Sequence, residues 1–217
     1  MQKRCVIICA FQTGKIEDAV KLGPDDFILC ADAGYAYAKA ENIRPDLVIG
    51  DFDSMSRSFL DCAFIELPRE KDDTDTMACL KYGIEQGFQK FMIVGGIGGR
   101  LDQTLANVQV LAYACGLGKS AAMTNGQNDV MMIQNSSLRI PARKGYYLSL
   151  LAYTDVCRDV SVSGVKYPLQ NARLTQEFPI GVSNEFCSNA AEISVREGKL
   201  LILLSKDREA GAEPDFC

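Results

Sequence analysis

The chain has 217 residues, 47% hydrophobic and 24% charged, and its net charge is −5 because 28 acidic residues outnumber 23 basic ones. These values are typical of a globular protein, and we expect neither a basic face for nucleic acid nor an apolar run of about 18 residues that could cross a membrane. The sequence contains no histidine, which excludes Ser-His-Asp and Cys-His nucleophiles and histidine zinc sites.

The nine cysteines stand singly, without a C-x-x-C pair. This spacing predicts reduced and mostly buried thiols in a cytoplasmic protein. The segment "CVIICAF" near the N-terminus is too short for the apolar part of a signal peptide, and we expect it to form the first strand of the core.

The first half of the chain alternates unbroken apolar runs with helical patterns. The predicted helices are residues 35–41, 76–86 and 101–115, and the runs are residues 6–10, 27–31, 47–49, 64–67, 91–94, 121–124 and 130–133. Buried strands joined by helices indicate an α/β domain with a mostly parallel sheet and helices on both of its faces.

After residue 135 the pattern changes to short segments rich in β-branched and aromatic residues. These segments are "SLRIP", "GYYLSLLAY", "RDVSVSGV", "NAAEISVREG" and "KLLILLS". They predict an antiparallel β-sandwich or barrel. We therefore expect an α/β domain over residues 1–135, a β domain over 136–208 and a polar tail over 209–217.

Four polar segments each follow an apolar strand in the first half. They read "ADAG", "GDFDS", "KDDTDT" and "GGIGGRLDQT". Ligands of open parallel sheets bind beyond the carboxyl ends of the strands, so these segments are expected to converge on one cleft. Each also has a structural alternative: Asp32, Asp73 or Thr74 as a helix cap, Asp51 and Asp53 as turn residues, and Asp102 as a partner of the helix dipole.

The chemistry of these segments suits a metal-bound polyphosphate. Asp51 and Asp53 could share a Mg²⁺ ion, which prefers carboxylate and phosphate oxygens. The glycines at 95, 96, 98 and 99 lead into a helix whose first amides could approach phosphate oxygens. Arg100 could hold a phosphate through two hydrogen bonds, Lys71 adds positive charge, and Asp102 could orient or deprotonate an attacking hydroxyl.

In these motifs the chain resembles the thiamine pyrophosphokinase family. The family pattern has a D-G-G/A segment, then P-D-x-x-x-G-D-F-D-S, K-D-x-T-D, G-G-x-G-x-R-x-D-[HQ] and G-x-S-N-E. This chain reads "ADAG", "PDLVIGDFDS", "KDDTDT", "GGIGGRLDQ" and "GVSNEF" in the same order. The resemblance covers nearly the whole chain.

The resemblance implies an N-terminal α/β domain, a C-terminal β-sandwich, and a homodimer with active sites between subunits. It also implies a Mg²⁺-dependent transfer of the terminal diphosphate of ATP to the hydroxyl of thiamine, which yields AMP. The residues that it assigns to catalysis are Asp102, Arg100 and Asp75. Metal binding is assigned to Asp51, Asp53 and Asp75; ATP binding to Asp32, Ser54, Lys71, Thr74, Gly98, Gly99 and Arg100; thiamine binding to Asp102, Gln103, Ser183 and Asn184.

Two positions depart from the family pattern. Ala33 stands where the first glycine of D-G-G is usual, and Gln103 stands where many bacterial members have histidine. Because Gln cannot exchange a proton at neutral pH, Asp102 is expected to act as the base. The chain has no tryptophan, so the aromatic contact to thiamine falls to Tyr or Phe, for example Phe186.

Three other functions remain open on the sequence alone. The acceptor could be another hydroxymethyl heterocycle such as a pterin, although "GVSNEF" favours thiamine. A protein that only senses nucleotide or thiamine would keep the fold without turnover. A D-x-D phosphatase is the third, but it leaves the glycine-rich segment unexplained.

Overall fold

The computed structural model describes residues 3–52, 60–68, 70 and 72–207, and the chain divides into two compact units between Gln127 and Asn128. The first unit contains a parallel sheet. Its strands are β1 (Arg4–Ile8), β2 (Phe27–Ala31), β3 (Leu47–Gly50), β4 (Ala63–Glu66), β5 (Lys90–Val94) and β6 (Ser120–Thr124). They lie in the order β6-β5-β1-β2-β3-β4, and each pairs in parallel with its neighbour.

Four helices accompany this sheet: α1 (Ile16–Ala19), α2 (Gly34–Ala40), α3 (Asp75–Glu85) and α4 (Leu101–Gly116). The strands in the centre of the sheet are apolar after their first residues, Arg4 in β1 and Lys90 in β5, and β3 has no exposed residue. Such unbroken apolar strands are typical of a parallel sheet that is covered on both faces. The strand order reverses beside β1, whose neighbours are β2 on one side and β5 on the other. In open α/β sheets this reversal is where a ligand crevice forms.

The second unit consists of two antiparallel sets of strands. Its strands are β7 (Asn128–Gln134), β8 (Ser137–Pro141), β9 (Tyr146–Ala152), β10 (Val156–Ser163), β11 (Leu169–Thr175), β12 (Gly181–Asn184), β13 (Ala190–Ser194) and β14 (Lys199–Lys206). One set has the order β12-β9-β14-β7 and the other β11-β10-β13-β8. Leu148, Ile202 and other residues of the first set share one core with Val160, Leu174 and Ile193 of the second, as in a sandwich.

The predicted fold class, a mostly parallel sheet with helices followed by an antiparallel β-sandwich, is confirmed. The sequence missed helix α1 and strands β11 and β12. It also assigned the run 130–133 to the first domain and put the boundary after residue 135. That run lies in β7, which pairs antiparallel with β14 along its length and belongs to the second unit. No helix in the described part of the chain is long and apolar enough to span a membrane.

The start of α2 shows why "ADAG" keeps one glycine and not two. A Cβ atom on Gly34 would lie 2.2 Å from the backbone oxygen of Ile8, so only glycine lets α2 approach β1 this closely. Ala33 has a φ of −60°, which any residue can adopt. The departure from the family pattern at Ala33 therefore needs no change in the backbone.

We expect Gly34→Ala to lower the free energy of unfolding by about 1–3 kcal/mol, because the added methyl group overlaps backbone that cannot move aside. Gly14→Ala is the matched control, since nothing lies within 4 Å of the position its Cβ would take. Equilibrium unfolding in urea measures both. Equal stability of the two variants would contradict the close contact between α2 and β1.

Candidate functional site

A cavity of about 340 Å³ lies in the first unit where the strand order reverses. The segments that follow β1 and β5 and the last residue of β2 line it together with the starts of α3 and α4. The lining residues are Cys9, Ala10, Phe11, Ala31, Thr74, Asp75, Thr76, Gly96, Gly98, Arg100, Gln103 and Asn107. The structure thus brings together five of the predicted site residues: Thr74, Asp75, Gly98, Arg100 and Gln103.

One wall of the cavity is residues 95–99, which we call the glycine turn. Its glycines at 95, 96, 98 and 99 all have positive φ. Close packing also excludes side chains here: a Cβ on Gly96 would lie 2.4 Å from Nδ2 of Asn107, and one on Gly95 would lie 2.2 Å from Nε2 of Gln12. The glycines therefore permit both a left-handed backbone and close packing against neighbouring side chains.

Hydrogen bonds fix this turn to the helix that follows it. The hydroxyl of Thr104 accepts from the amide of Gly98 at 3.0 Å, and the buried amide group of Asn107 donates to the carbonyl of Gly96 at 2.9 Å. The amides of Gly95 and Gly96 donate to backbone carbonyls of Thr124 and Phe11. Three of the four glycine amides are thus used within the protein, and the first turn of α4 supplies the amides that lack an intrahelical acceptor.

Arg100 and Asp102 form an exposed ion pair at the start of α4. Nε and Nη2 of Arg100 donate to the two carboxylate oxygens of Asp102 at 3.1 and 2.6 Å. The hydrogen bond from Arg100 is the main reason that the pKa of Asp102 lies below its usual value, and a hydrogen bond from the backbone amide of Gln103 acts in the same direction. Because the pKa is lowered, Asp102 is ionised at neutral pH and would be protonated only in more acidic solution.

The first turn of α3 forms another part of the cavity wall. Thr74 is the N-cap, and its hydroxyl accepts from the amide of Met77 at 3.2 Å. Its structural alternative as a cap is therefore realised, in a position that also lines the cavity. Asp75 is the first residue of α3, and buried Thr76 lies 3.5 Å from the thiol of Cys9.

Asp32 and Asp51 occupy adjacent strand ends. The amide of Asp32 donates to the carbonyl of Ile49 at 2.8 Å, and a Cβ on Gly50 would lie 2.8 Å from the Cβ of Asp32. Phe52, which follows Asp51, is buried in the core and meets Phe64 edge to face at 5.6 Å. The aromatic residue between the two predicted metal ligands therefore anchors that strand end in the core.

Three predicted site residues, Asp53, Ser54 and Lys71, lie outside the described residues. Among those that are described, no group of three His, Cys, Asp or Glu side chains could hold a metal ion. Because Asp53 is not among them, this result leaves the predicted pair of metal-binding carboxylates untested.

The two predicted thiamine ligands of the second unit lie on β12. The side-chain oxygen of Asn184 accepts from the amides of Tyr167 and Glu185, each at 3.0 Å, and its nitrogen donates to the carbonyl of Tyr167 at 2.7 Å. Asn184 therefore holds neighbouring backbone in place. Ser183 is exposed and has a φ of 60°, and its amide donates to the hydroxyl of Ser149 at 3.0 Å.

A second cavity, of about 710 Å³, lies in this unit beside the same motif. Half-buried Phe186 lines it, together with Tyr147 and Cys187. Phe186 also packs against the core of the sandwich. The suggested aromatic contact to thiamine thus borders an open space.

Four residues around the first cavity were missed or given no role by sequence analysis: Phe11, Gln12, Thr104 and Asn107. Gln12 donates from Nε2 to the carbonyls of Cys9 and Val94, both at 3.0 Å, and so joins the ends of β1 and β5. Asn107 carried a detectable signal, since it is a polar residue at a buried position of an apolar helix face. Phe11 and Gln12 had none, because their contacts join segments far apart in sequence.

Comparisons with known proteins agree with this architecture. The model for the catalytic domain of thiamin pyrophosphokinase matches residues 22–122, and that for its vitamin B1 binding domain matches residues 135–200. Thiamine pyrophosphokinase of Bacillus subtilis is 27% identical over 183 residues, which cover 81% of this chain and 86% of that protein.

Solved structures of the same family share the fold. The crystal structure of the Bacillus subtilis thiamine pyrophosphokinase superposes with a TM-score of 0.81 at 21% identity, covering 95% of this chain and 100% of that one. A thiamin pyrophosphokinase family protein from Enterococcus faecalis gives a TM-score of 0.79 at 27% identity, covering 96% and 100%. The two domain matches together span most of the sequence, and the chain belongs to the thiamin pyrophosphokinase family.

Proposed function

We propose that this chain carries out the reaction of its family at the cavity of the first unit: it transfers the terminal diphosphate of ATP to the hydroxyl of thiamine. The observation that carries this assignment is the convergence of Asp75, Arg100 and Gln103 with the glycine turn at the reversal of strand order. In this reaction the thiamine oxygen attacks the β-phosphorus, the bond from that phosphorus to the α-phosphate oxygen breaks, and AMP leaves.

The start of α4 suits the phosphates of ATP. Its first amides have no carbonyl acceptor within the helix, that of Gln103 donates to the carboxylate of Asp102, and the positive end of the helix dipole favours an anion there. Arg100 follows the glycine turn directly and can grip a phosphate with two hydrogen bonds. Gly98 and Gly99 allow the positive φ with which the backbone enters α4, which supports their assignment as ATP contacts.

Magnesium fits the donor set of this unit. Asp32 lies against Gly50 beside Asp51, so two carboxylates stand at adjacent strand ends. Mg²⁺ commonly uses one or two carboxylates and completes its shell with water and substrate phosphates. Asp51, Asp53 and Asp75 would hold it, and the ion would offset the charge of the phosphates.

Asp102 is the proposed acceptor of the thiamine proton. In the free protein Arg100 lowers the pKa of Asp102, which makes the carboxylate a weak base. When phosphates draw Arg100 away, the carboxylate loses its main stabilising partner and its pKa moves back towards the usual value. ATP binding would thus strengthen the base at the step that needs it, and the negative carboxylate also suits the cationic acceptor.

We also propose a homodimer in the cytoplasm. Tyr167, Phe178, Ile180 and Val182 lie on or near β12, and each is at least half exposed, which is typical of an apolar surface that a partner covers. Ser183 and Asn184 in the same region would bind thiamine across that interface.

The cysteines support the cytoplasmic location. No disulfide joins the eight cysteines that the structure describes, which suits a reducing compartment.

Incubation of the pure protein with ATP, Mg²⁺ and thiamine is expected to form AMP and thiamine diphosphate, resolved by chromatography. A hydroxymethylpterin offered in parallel should remain unchanged. Formation of ADP, or no product with thiamine, would contradict the proposal, and turnover of the pterin alone would change the acceptor.

Asp102→Asn is expected to reduce kcat by a factor of about 10²–10⁴, because an amide cannot accept the proton. The KM for ATP should stay the same or fall, since Arg100 is released from its ion pair. Asp25→Asn, an exposed acid of the first unit outside the four motif segments, is the control and should keep its rate. Steady-state kinetics measure kcat and KM for both variants. Full activity of Asp102→Asn would show that Asp102 is not the base.

Thr104→Val is expected to raise the KM for ATP about threefold to tenfold with little change in kcat, since losing a hydrogen bond of typical strength loosens the glycine turn. Thr104→Ser keeps the hydroxyl that bonds Gly98 and should behave like the unmodified protein. If serine and valine raise the KM equally, the hydroxyl does not hold the turn.

A further inference from the structure

Phe11 and Gln12, which follow β1, pack against all four glycines of the glycine turn. The side chain of Gln12 fills the space beside Gly95, and the backbone carbonyl of Phe11 accepts from the amide of Gly96 at 2.8 Å. The ring of Phe11 then continues under the last two glycines. No family motif quoted above includes these two residues.

The ring of Phe11 occupies the space that side chains at positions 98 and 99 would need. A Cβ on Gly98 would lie 3.1 Å from Cε1 of Phe11, and one on Gly99 would lie 2.8 Å from Cε2 and 3.1 Å from Cδ2. The backbone of both glycines therefore rests on the aromatic ring. An aromatic ring presents a rigid surface that loses little freedom when it packs.

Phe11 remains 39% exposed although it makes these contacts, and it lines the cavity. The ring lies directly before Arg100 and the first turn of α4, where the proposed phosphate contacts begin. Its position can therefore set the path of the backbone into that helix.

We propose that Phe11 is a positioning residue for phosphate binding. Its ring packs against Gly98 and Gly99 and holds them in place, so that Arg100 and the first amides of α4 face the phosphates. The inference rests on the proposed function in that the turn is taken as the phosphate site. Phe11 acts through the turn and needs no contact with the base of the nucleotide.

Comparing the affinities for two ligands, one with a nucleotide base and one without, distinguishes this role from stacking on the base. Isothermal titration calorimetry in the presence of Mg²⁺ measures the affinity for a non-hydrolysable ATP analogue and for inorganic tripolyphosphate, which has no base. Phe11→Ala is expected to weaken both by a similar factor, about tenfold. Phe11→Leu, which restores a large side chain without aromaticity, should recover affinity for both to within about threefold.

Tyr37→Ala is the matched control, since Tyr37 is also 39% exposed and belongs to the same unit, on α2. Thermal unfolding of each variant checks that the fold is kept. Unchanged tripolyphosphate affinity in Phe11→Ala overturns the proposal, and a loss confined to the ATP analogue assigns the ring to the base instead. Failure of the unmodified protein to bind either ligand overturns the proposed function, and this inference with it.

Discussion

The packing of residues 9–12 against the glycine turn is the contact on which the candidate site depends. Residues 9–12 follow β1 and the turn follows β5, two neighbouring strands at the reversal of sheet order. Gln12 joins the two strand ends by hydrogen bonds, and Phe11 supports the turn. Side chains at the glycine positions would overlap Phe11, Gln12 and Asn107. The glycines therefore allow the turn to pack against residues 9–12 and to lead α4 towards the cavity.

Beside the glycine turn, the positive charge of Arg100 is already paired with a negative charge in the free protein. Arg100 and Asp102 satisfy each other at the start of α4, although the proposed reaction needs them for different partners. Both side chains are exposed, so solvent screens their attraction and the pair can separate at little cost. A phosphate that competes for Arg100 would therefore meet a modest barrier and would release the carboxylate at the same time.

Sequence reasoning succeeded where the pattern was local. Unbroken apolar runs gave the strands of the parallel sheet, and glycine and aspartate segments after these strands indicated the cleft. It failed where tertiary pairing decides: the run in β7 resembles the parallel strands, but it pairs antiparallel with β14. Strand β11, "LQNARLT", is too polar to stand out, since only Leu174 in it is fully buried.

The candidate site was predictable to a similar degree. Thr74, Asp75, Gly98, Arg100 and Gln103 were assigned from the motifs and the family resemblance that they carry, and all line one cavity. The supporting residues were not, because Phe11 and Gln12 act on a turn more than eighty residues away. The dual use of Thr74, as a cap and as a cavity residue, also lies beyond sequence, since one spacing fits both roles.

Binding of the phosphates of ATP by the glycine turn and the start of α4 can be followed at single amides. The ¹⁵N-labelled protein is titrated with Mg²⁺ and an ATP analogue whose α–β bridge cannot be cleaved, and its amide chemical shifts are recorded. We expect the amides of Gly99, Arg100 and Leu101 to shift together and to saturate at one ligand concentration. Saturable shifts elsewhere while these three amides stay unmoved would contradict it.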